Sequence, residues 1–276
     1  MKRVAAIQMA SGPNVRANLT EAGKLIGHAV DAGAGMVVLP ENFAIMGLAE
    51  KDKLRAKEKP GHGPIQDFMA KEAARLGIWI VGGTIPLETS DTGRVRSTCL
   101  IYNDQGQQVG RYDKIHLFDV KLEESGETYH ESETIEPGKS ITVLDTPFGR
   151  LGVAICYDLR FPELFRGMAD QNVEIIAVPS AFTAITGKAH WETLLRARAI
   201  ENLSYVVAAA QGGYHVSGRE TYGNSMIIDP WGVILDCLPR GSGFVVAEID
   251  QQKIYNTRRN FPVLEHRRMS CSTPNG

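Results

Sequence analysis

The chain has 276 residues and a formal net charge of −2, with 43% hydrophobic and 22% charged residues. This composition is typical of a globular protein that buries one sizeable core, and the small net charge argues against a nucleic-acid-binding protein. No apolar run approaches the roughly 20 residues of a membrane span. We therefore expect a small-molecule partner, and neither a nucleic acid nor a membrane.

The cysteines are scattered and contain no CxxC pair: Cys99, Cys156, Cys237 and Cys271. This spacing suits neither a zinc site nor a disulfide framework. We therefore expect no metal and a reducing, cytoplasmic location. The basic start of the chain is followed by a short apolar stretch that Gln8 interrupts, which indicates a first strand rather than a signal peptide.

Apolar periodicity predicts strands and helices that alternate along the chain. The expected strands are residues 4–9, 36–39, 78–81, 97–102, 107–112, 151–155, 175–178, 204–210, 225–228, 233–237 and 244–249. The expected helices are residues 18–32, 65–76 and 188–202, with a further helix opened by Pro162 and Glu163. This order predicts a layered α/β protein with local antiparallel hairpins. We expect a single domain over 1–276, with a C-terminal tail from about 251 to 276.

Local signals define some ends of these elements. Asn18 with Glu21 three residues later is a capping-box pattern, which predicts the start of the first helix. Gly77 predicts the end of the second helix. Asp104 to Gly106 lies between two strand-like runs and predicts a hairpin turn, while residues 233–237 and 244–249 are expected to close the sheet.

Three titratable residues stand where apolar runs end. The run before Glu41 stops at its carboxylate, the run before Cys156 stops at its thiol, and Lys114 lies in an extended segment over 110–119. Taken alone, Cys156 is more simply interpreted as a small residue that fills a gap in the core. Together, an acid, an ammonium and a thiol supply a base, an oxyanion stabiliser and a nucleophile for acyl transfer.

The segments around these residues resemble those of the nitrilase superfamily, the carbon–nitrogen hydrolases. The matching segments are VLPE (38–41), YDKIHL (112–117), ICYDLRFPE (155–163), PSAF (179–182), HWE (190–192) with RARA (196–199), and DPWG (229–232). They follow the family order from residue 1 to about residue 268. The resemblance implies a four-layer α-β-β-α sandwich and a homodimer or higher homo-oligomer.

The resemblance also implies roles for individual residues. Glu41 is expected to be the base, Lys114 to hold the oxyanion, and Cys156 to attack an amide and form a thioester, without a cofactor. Glu131 looks like the second glutamate of the family, which lies near the lysine. The backbone N–H of Tyr157, directly after the nucleophile, is a further expected oxyanion donor.

Other residues keep two interpretations. His116 is close enough to Lys114 for a Cys–His arrangement, but the family pattern favours a supporting role for it. His190 and Trp191 either line the pocket or pack beneath it. Arg160 and Glu163 are expected to form an ion pair. The acidic stretch 118–139 is interpreted as a solvated loop and a candidate lid.

The turn that follows Cys156 resembles the branch that contains omega-amidases and deaminated-glutathione amidases. Residues 205–211 and 219–225 resemble the second group more closely, which implies hydrolysis of deaminated glutathione to 2-oxoglutarate and cysteinylglycine. A 2-oxoglutaramate-cleaving omega-amidase is the alternative, and a nitrilase-like binding protein without turnover is another. A peptide carboxylate needs a basic partner, and Arg219 or His215 in the Gly-rich segment 212–222 is the hypothesis.

Overall fold

The computed structural model describes residues 2–123 and 126–269. The helices are α1 (Val15–Asp31), α2 (Asp52–Arg55), α3 (Pro64–Leu76), α4 (Pro162–Ala169), α5 (Ala184–Asn202) and α6 (Gln251–Asn260). The strands are β1 (Arg3–Gln8), β2 (Ala34–Val38), β3 (Trp79–Val81), β4 (Ile85–Glu88), β5 (Val95–Tyr102), β6 (Gln108–Asp113), β7 (Asp119–Leu122), β8 (Glu127–His130), β9 (Val143–Thr146), β10 (Gly149–Val153), β11 (Ile175–Ala177), β12 (Tyr205–Ala208), β13 (Gly212–Tyr214), β14 (Glu220–Tyr222), β15 (Ser225–Ile228), β16 (Ile234–Leu238) and β17 (Gly243–Glu248). Two 3₁₀ helices cover Glu131–Glu133 and Cys156–Arg160.

The larger strands form two sheets. The seven-stranded sheet has the order β17-β1-β2-β3-β5-β4, with β6 paired to β5, and the six-stranded sheet has the order β16-β15-β12-β11-β10-β9. The centres of both sheets are parallel, because β2 pairs in parallel with β1 and β3, and β11 with β10 and β12. Parallel centres place several strand ends at one edge of each sheet, where loops can carry a site.

The sheets pack against each other, and helices cover both outer faces. Val4 and Ala6 of β1 belong to the core that includes the six-stranded sheet, whereas Ala5 and Ile7 pack in the core that α1 and α3 cover. This alternation follows from the period of two in a strand that is buried on both faces. Helices α4 and α5 cover the other sheet. The arrangement is the predicted α-β-β-α sandwich.

The N-terminal cap of α1 differs from the prediction. The helix begins at Val15, and the side chain of Asn14 accepts a hydrogen bond from the Ala17 N–H at 3.1 Å. Asn18 instead lies inside the helix, where its buried side-chain amide donates to the carbonyls of Gly12 and Ala44. Either asparagine could cap a helix. Asn18 instead holds the neighbouring loops in place, because that part of the helix faces the interior.

Other predicted features have mixed outcomes. Gly77 ends α3 with a φ of 64°, and β5 and β6 form the predicted hairpin. The last two strands do not close one sheet, because β16 pairs with β15 in the six-stranded sheet and β17 pairs with β1 in the other. Part of the expected tail is helical, as α6, and the single-domain assignment stays a prediction. Cys271 lies outside the described residues.

Residues 118–123 and 126–139 contain more regular structure than the loop interpretation implied. Strands β7 and β8 pair as an antiparallel hairpin, and the Glu131–Glu133 3₁₀ helix follows. The segment then returns to the large sheet, because the Val95 N–H donates to the Thr134 carbonyl at 2.9 Å. Lid movement of this segment stays a prediction. Across the described part of the chain, no helix has both the length and the apolarity for a membrane crossing.

Candidate active site

Three predicted site residues lie just beyond the ends of strands. Glu41 follows β2 and Lys114 follows β6, both in the seven-stranded sheet, and Cys156 follows β10 in the six-stranded sheet. The site therefore lies where the ends of the two sheets meet. Lys114 had been expected within an extended segment, but β6 ends at Asp113. The backbone of Lys114 is held beside β5, because its N–H donates to the Ser97 carbonyl at 2.9 Å.

Lys114 lies between two carboxylates and is almost completely buried, with 2% of its surface exposed. Its Nζ is 2.8 Å from Oε1 of Glu41, and 2.9 and 2.8 Å from Oε1 and Oε2 of Glu131. Burial alone would lower the pKa of Lys114, but the charges of Glu131 and Glu41 outweigh it and raise that pKa well above its usual value. The lysine is therefore an ammonium ion with fixed orientation.

Glu131 is brought to the lysine by the 3₁₀ helix that follows β8. Its Oε2 also accepts a hydrogen bond from the Phe118 N–H at 2.7 Å. Burial favours the neutral acid, but Lys114 and these hydrogen bonds outweigh it, so the pKa of Glu131 is lowered. The structure thus places Glu131 beside Lys114, as the family resemblance implied.

The loop that carries Glu41 depends on a close backbone approach. Gly83 has a φ of +53°, and a Cβ at this position would lie 2.2 Å from the Pro40 carbonyl oxygen. Only glycine combines this conformation with this contact. On the other side, the Gln211 side-chain amide donates to the Glu41 carbonyl at 3.0 Å. Glu41 is therefore held from both sheets.

Cys156 has a left-handed backbone conformation, with a φ of +47°. This conformation is strained for a residue with a Cβ, and it presents the thiol at a sharp turn between a strand and a helix, like other nucleophile elbows. The turn is stabilised by the Cys156 N–H, which donates to the Pro179 carbonyl at 2.9 Å, and by the Ile155 N–H, which donates to Asp158 Oδ2 at 2.8 Å.

The environment of Cys156 keeps its thiol protonated. Burial raises its pKa, and the Glu41 carboxylate, which is hydrogen-bonded to the thiol, raises it further. The Lys114 charge and a hydrogen bond from the Ala181 N–H oppose this rise without cancelling it. A thiol in this state needs a base for attack, and Glu41 is in contact with it.

Asp158 links the cysteine turn to the lysine segment. It is fully buried and accepts hydrogen bonds from Tyr112 Oη at 2.7 Å, from His116 Nδ1 at 2.7 Å and from the His116 N–H at 3.0 Å. The His116 ring also stacks on Phe161, with 3.7 Å between ring centroids. His116 is therefore a support, as predicted, and its ring is bound to Asp158 rather than to Cys156.

The backbone N–H of Tyr157 is available to a ligand, since no acceptor is found for it among the backbone hydrogen bonds of residues 2–123 and 126–269. Its side chain packs edge-on against Phe118 and Phe161. The rings of Phe118 and Tyr157 both line the pocket.

A pocket opens in front of Cys156. Besides Lys114, its lining includes the cationic side chains of Lys53, Arg160 and Arg219. Lys53 is paired with Glu50 at 3.0 Å, and this contact lowers the pKa of Glu50. A pocket lined by several positive charges suits a small anionic molecule.

Arg160 does not form the predicted ion pair with Glu163; within residues 2–123 and 126–269 no such pair is found. Its guanidinium lies 5.3 Å from the ring centroid of Phe182 and donates to Nδ1 of His190 at 3.1 Å. Helical spacing does not apply here, because Arg160 precedes the first turn of α4. Trp191 packs beneath the pocket against Phe182, and its Nε1 donates to the Asn224 carbonyl at 2.8 Å.

The two candidate carboxylate partners differ in position. Arg219 lines the pocket, whereas His215 is buried and uses both ring nitrogens, with Nδ1 2.8 Å from the Ser11 carbonyl and Nε2 2.8 Å from Thr221 Oγ1. Burial lowers the pKa of His215, which favours the neutral ring. The part of the hypothesis that assigned a carboxylate to His215 is therefore wrong.

Lys53, Glu50 and the contact of Ala181 with the thiol belong to the site but carry no signal in the sequence. Lys53 and Glu50 lie in the charged run EKDKLRAKE (50–58), which has no apolar period and no motif that marks it. Ala181 contributes through its backbone, so its side chain gives no signal. It had been included only as part of the segment PSAF (179–182).

Comparison with known proteins agrees with these features. Residues 3–259 match the carbon–nitrogen hydrolase family. A Synechocystis protein named deaminated glutathione amidase is 44% identical over 266 residues, which cover 95% of this chain and 97% of that protein. A Yersinia enterocolitica protein of the same name is 41% identical over 270 residues, covering 98% and 94%.

The fold comparison gives the same family. The crystal structure of Saccharomyces cerevisiae Nit3, described as a member of branch 10 of the nitrilase superfamily, superposes with a TM-score of 0.87. The two chains are 32% identical, and the match covers 97% of each.

Proposed function

The chain belongs to the carbon–nitrogen hydrolase family and cleaves amides, and we propose that it hydrolyses deaminated glutathione to 2-oxoglutarate and cysteinylglycine, with Glu41, Lys114 and Cys156 as the catalytic residues. The observation that carries this proposal is the contact of one buried ammonium, Lys114, with Glu41 beside the Cys156 thiol.

The first half-reaction forms a thioester. Glu41 accepts the thiol proton as Sγ of Cys156 attacks the amide carbon, so the S–C bond forms and the carbonyl π electrons move to oxygen. The negative oxygen is stabilised by the Lys114 ammonium and the Tyr157 N–H. The C–N bond then breaks, and Glu41 gives its proton to the leaving nitrogen.

The second half-reaction hydrolyses the thioester. Glu41 takes a proton from water, the hydroxyl oxygen attacks the thioester carbon, and the same two donors hold the oxyanion. The C–S bond breaks and the thiolate recovers the proton. Glu131 positions Lys114 and keeps it charged throughout, because it binds Nζ with both carboxylate oxygens.

The pocket supports a substrate with carboxylates. Arg160 lies over the Phe182 ring, Arg219 donates to the Ala181 carbonyl, and Lys53 adds a third positive charge to the lining. Deaminated glutathione carries one carboxylate on its 2-oxo acid half and one on its peptide half. The relatives named above share this substrate in their names.

The test is turnover of deaminated glutathione and 2-oxoglutaramate side by side, with Cys156→Ala as the blank. We expect a higher kcat/KM for deaminated glutathione. A preference for 2-oxoglutaramate would make the chain an omega-amidase. No turnover of either amide would contradict the proposal and favour a nitrilase-like binding protein.

We also propose a homodimer or higher homo-oligomer in the cytoplasm. Support for association comes from large apolar side chains that are exposed near α6 and β16: Trp231, Val233, Tyr255 and Phe261. Trp231 and Phe261 contact each other at 5.7 Å between ring centroids, so at least these two exposed rings are adjacent. Light scattering of the purified protein tests the assembly, and a monomer at micromolar concentration would contradict it.

A further inference from the structure

The active-site pocket continues into a second, more open groove. The two spaces share Asn42, Glu50, Lys53, Tyr129 and Arg219, and residues 46–49 and 217–218 form the far side of the groove. A substrate longer than the pocket can therefore extend from Cys156 past Arg219 toward the surface. Cysteinylglycine is a longer leaving group than ammonia, since two extended residues span roughly 7 Å.

Arg219 is fixed at the junction of pocket and groove. Its Nη2 donates to the Ala181 carbonyl at 2.7 Å, and its guanidinium lies 5.1 Å from the ring centroid of Tyr129. Its Nε is buried and has no hydrogen-bond partner within the described part of the chain. The cation is thus held in place with donor capacity that the protein does not use.

Ala181 connects this arginine to the chemistry. Its N–H is hydrogen-bonded to the Cys156 thiol, and its carbonyl accepts from Arg219. The guanidinium is therefore linked to the reacting sulfur through a single residue, Ala181. This is the side on which the amine half of a peptide-like amide can meet a positive charge.

The other cation of the groove is already neutralised. Lys53 Nζ lies 3.0 Å from Glu50 Oε2, and the charge of Lys53, with a smaller contribution from Arg219, lowers the pKa of Glu50. Glu50 is therefore ionised at neutral pH and binds Lys53. Arg219 should bind an incoming anion more strongly than Lys53 does, because an arginine can bind a carboxylate with two parallel N–H donors.

We propose that this groove is the leaving-group subsite and that Arg219 binds the terminal carboxylate of the peptide half. The inference rests on the proposed function, and it goes further by assigning the end of the substrate that is released. It makes Arg219 the residue that distinguishes a peptide amide from a simple amide, with Lys53 and Glu50 adjusting the local charge.

The experiment compares deaminated glutathione with its C-terminal carboxamide, which differs only in the terminal charge. For the wild-type chain we expect kcat/KM to favour the carboxylate by about 10- to 100-fold, the range of a charged hydrogen-bond pair. Arg219→Gln should remove this preference, and Arg219→Lys should retain part of it. Any disturbance of Ala181 lowers both rates and cancels in the ratio.

Two matched variants complete the test. Arg160→Gln removes a cation from the other wall of the pocket, and it should leave the carboxylate-to-carboxamide ratio at the wild-type value. Glu50→Gln releases Lys53, and it should increase that ratio. The inference is overturned if Arg219→Gln keeps the wild-type ratio, or if Arg160→Gln abolishes it. A wild-type chain that cleaves neither peptide amide would overturn the proposed function as well.

Discussion

Two regions of the pocket are built in different ways. The catalytic floor, formed by Glu41, Lys114, Glu131 and Cys156, lies at strand ends, and the Nζ of its lysine lies within 2.9 Å of three carboxylate oxygens. The pocket mouth, formed by Glu50, Lys53, Tyr129 and Arg219, comes from a loop, the short helix α2 and two short hairpins.

We infer from this difference that the catalytic floor carries out the chemistry and that the pocket mouth selects the substrate. The floor has fixed charges in a buried setting, where electrostatic stabilisation of an oxyanion is strong. The mouth has partly exposed charges, with 44% of the Glu50 side chain accessible, so its ion pair is weaker and easier to exchange for a ligand. Substitutions in the floor should therefore lower turnover for every amide, and substitutions in the mouth should change the choice among amides.

The largest effect is expected for the floor itself. Cys156→Ala and Glu41→Gln should each lower kcat by at least about 1,000-fold, and the double variant should be no worse than either, because the groups act as a unit. Steady-state kinetics with a sensitive product assay measures this. The mouth variant Glu50→Gln should change kcat less than tenfold, and equal losses in floor and mouth would break the comparison.

The two regions should also differ in how much their lysines contribute to the free energy of unfolding. Lys114→Ala leaves two carboxylates in a buried site without their cation, so we expect a loss of about 3–5 kcal/mol in the free energy of unfolding. Lys53→Ala should cost less than about 1 kcal/mol. Urea denaturation of both variants, with circular dichroism as the probe, checks the difference. Similar losses for the two lysines would show that the mouth is as rigid as the floor.

The pH dependence of stability follows from Glu131. Its pKa in the folded chain is below the ordinary value of 4.5, so its contribution is full above that value and is lost as the pH falls through the lower folded value. The wild-type chain should therefore lose more stability below about pH 4.5 than Glu131→Gln does. The free energy of unfolding of both proteins is measured at each pH from pH 5 to pH 3. Parallel curves for the two proteins would contradict this expectation.

Replacement of Glu41 should make the Cys156 thiol easier to deprotonate, even though it removes turnover. Burial and the Glu41 charge both raise the pKa of Cys156, so Glu41→Gln should lower that pKa while it abolishes turnover. The pH profile of iodoacetamide labelling at Cys156, followed by peptide mass spectrometry, measures this, with Cys237 as the exposed internal reference. A midpoint at the same or a higher pH would mean that Glu41 does not act on the thiol.

A smaller effect on turnover than that of Cys156 or Glu41 is expected for Asp158, which supports the floor without touching substrate. Asp158→Asn weakens its contacts with Tyr112 and His116, so we expect kcat to fall about 10-fold or more with little change in KM, because the lysine and the cysteine lose their common anchor. Tyr112→Phe removes one of these hydrogen bonds and should have a smaller effect. A rise in KM with unchanged kcat would assign Asp158 to substrate binding instead.

The sequence predicted the floor because strand-end residues give a readable pattern. Apolar runs that stop at Glu41 and Cys156 mark the same end of two sheets, whereas Glu131 follows a four-residue strand and was found only by family resemblance. The hairpins β7–β8 and β13–β14 have strands of three or four residues, which is too short for alternation to be distinguished. Lys53 stands in a charged run, and only the fold shows which of its charges faces the pocket.

The most direct test of the thioester mechanism is the partition of the acyl-enzyme between water and methanol. Deaminated glutathione and 2-oxoglutaramate share the acyl half and differ in the amine, so both should form the same acyl group on Cys156. We predict the same ratio of methyl ester to 2-oxoglutarate from both amides, because the leaving group has departed before this step. Ratios that differ between the two amides, or no ester from either, would contradict a common thioester.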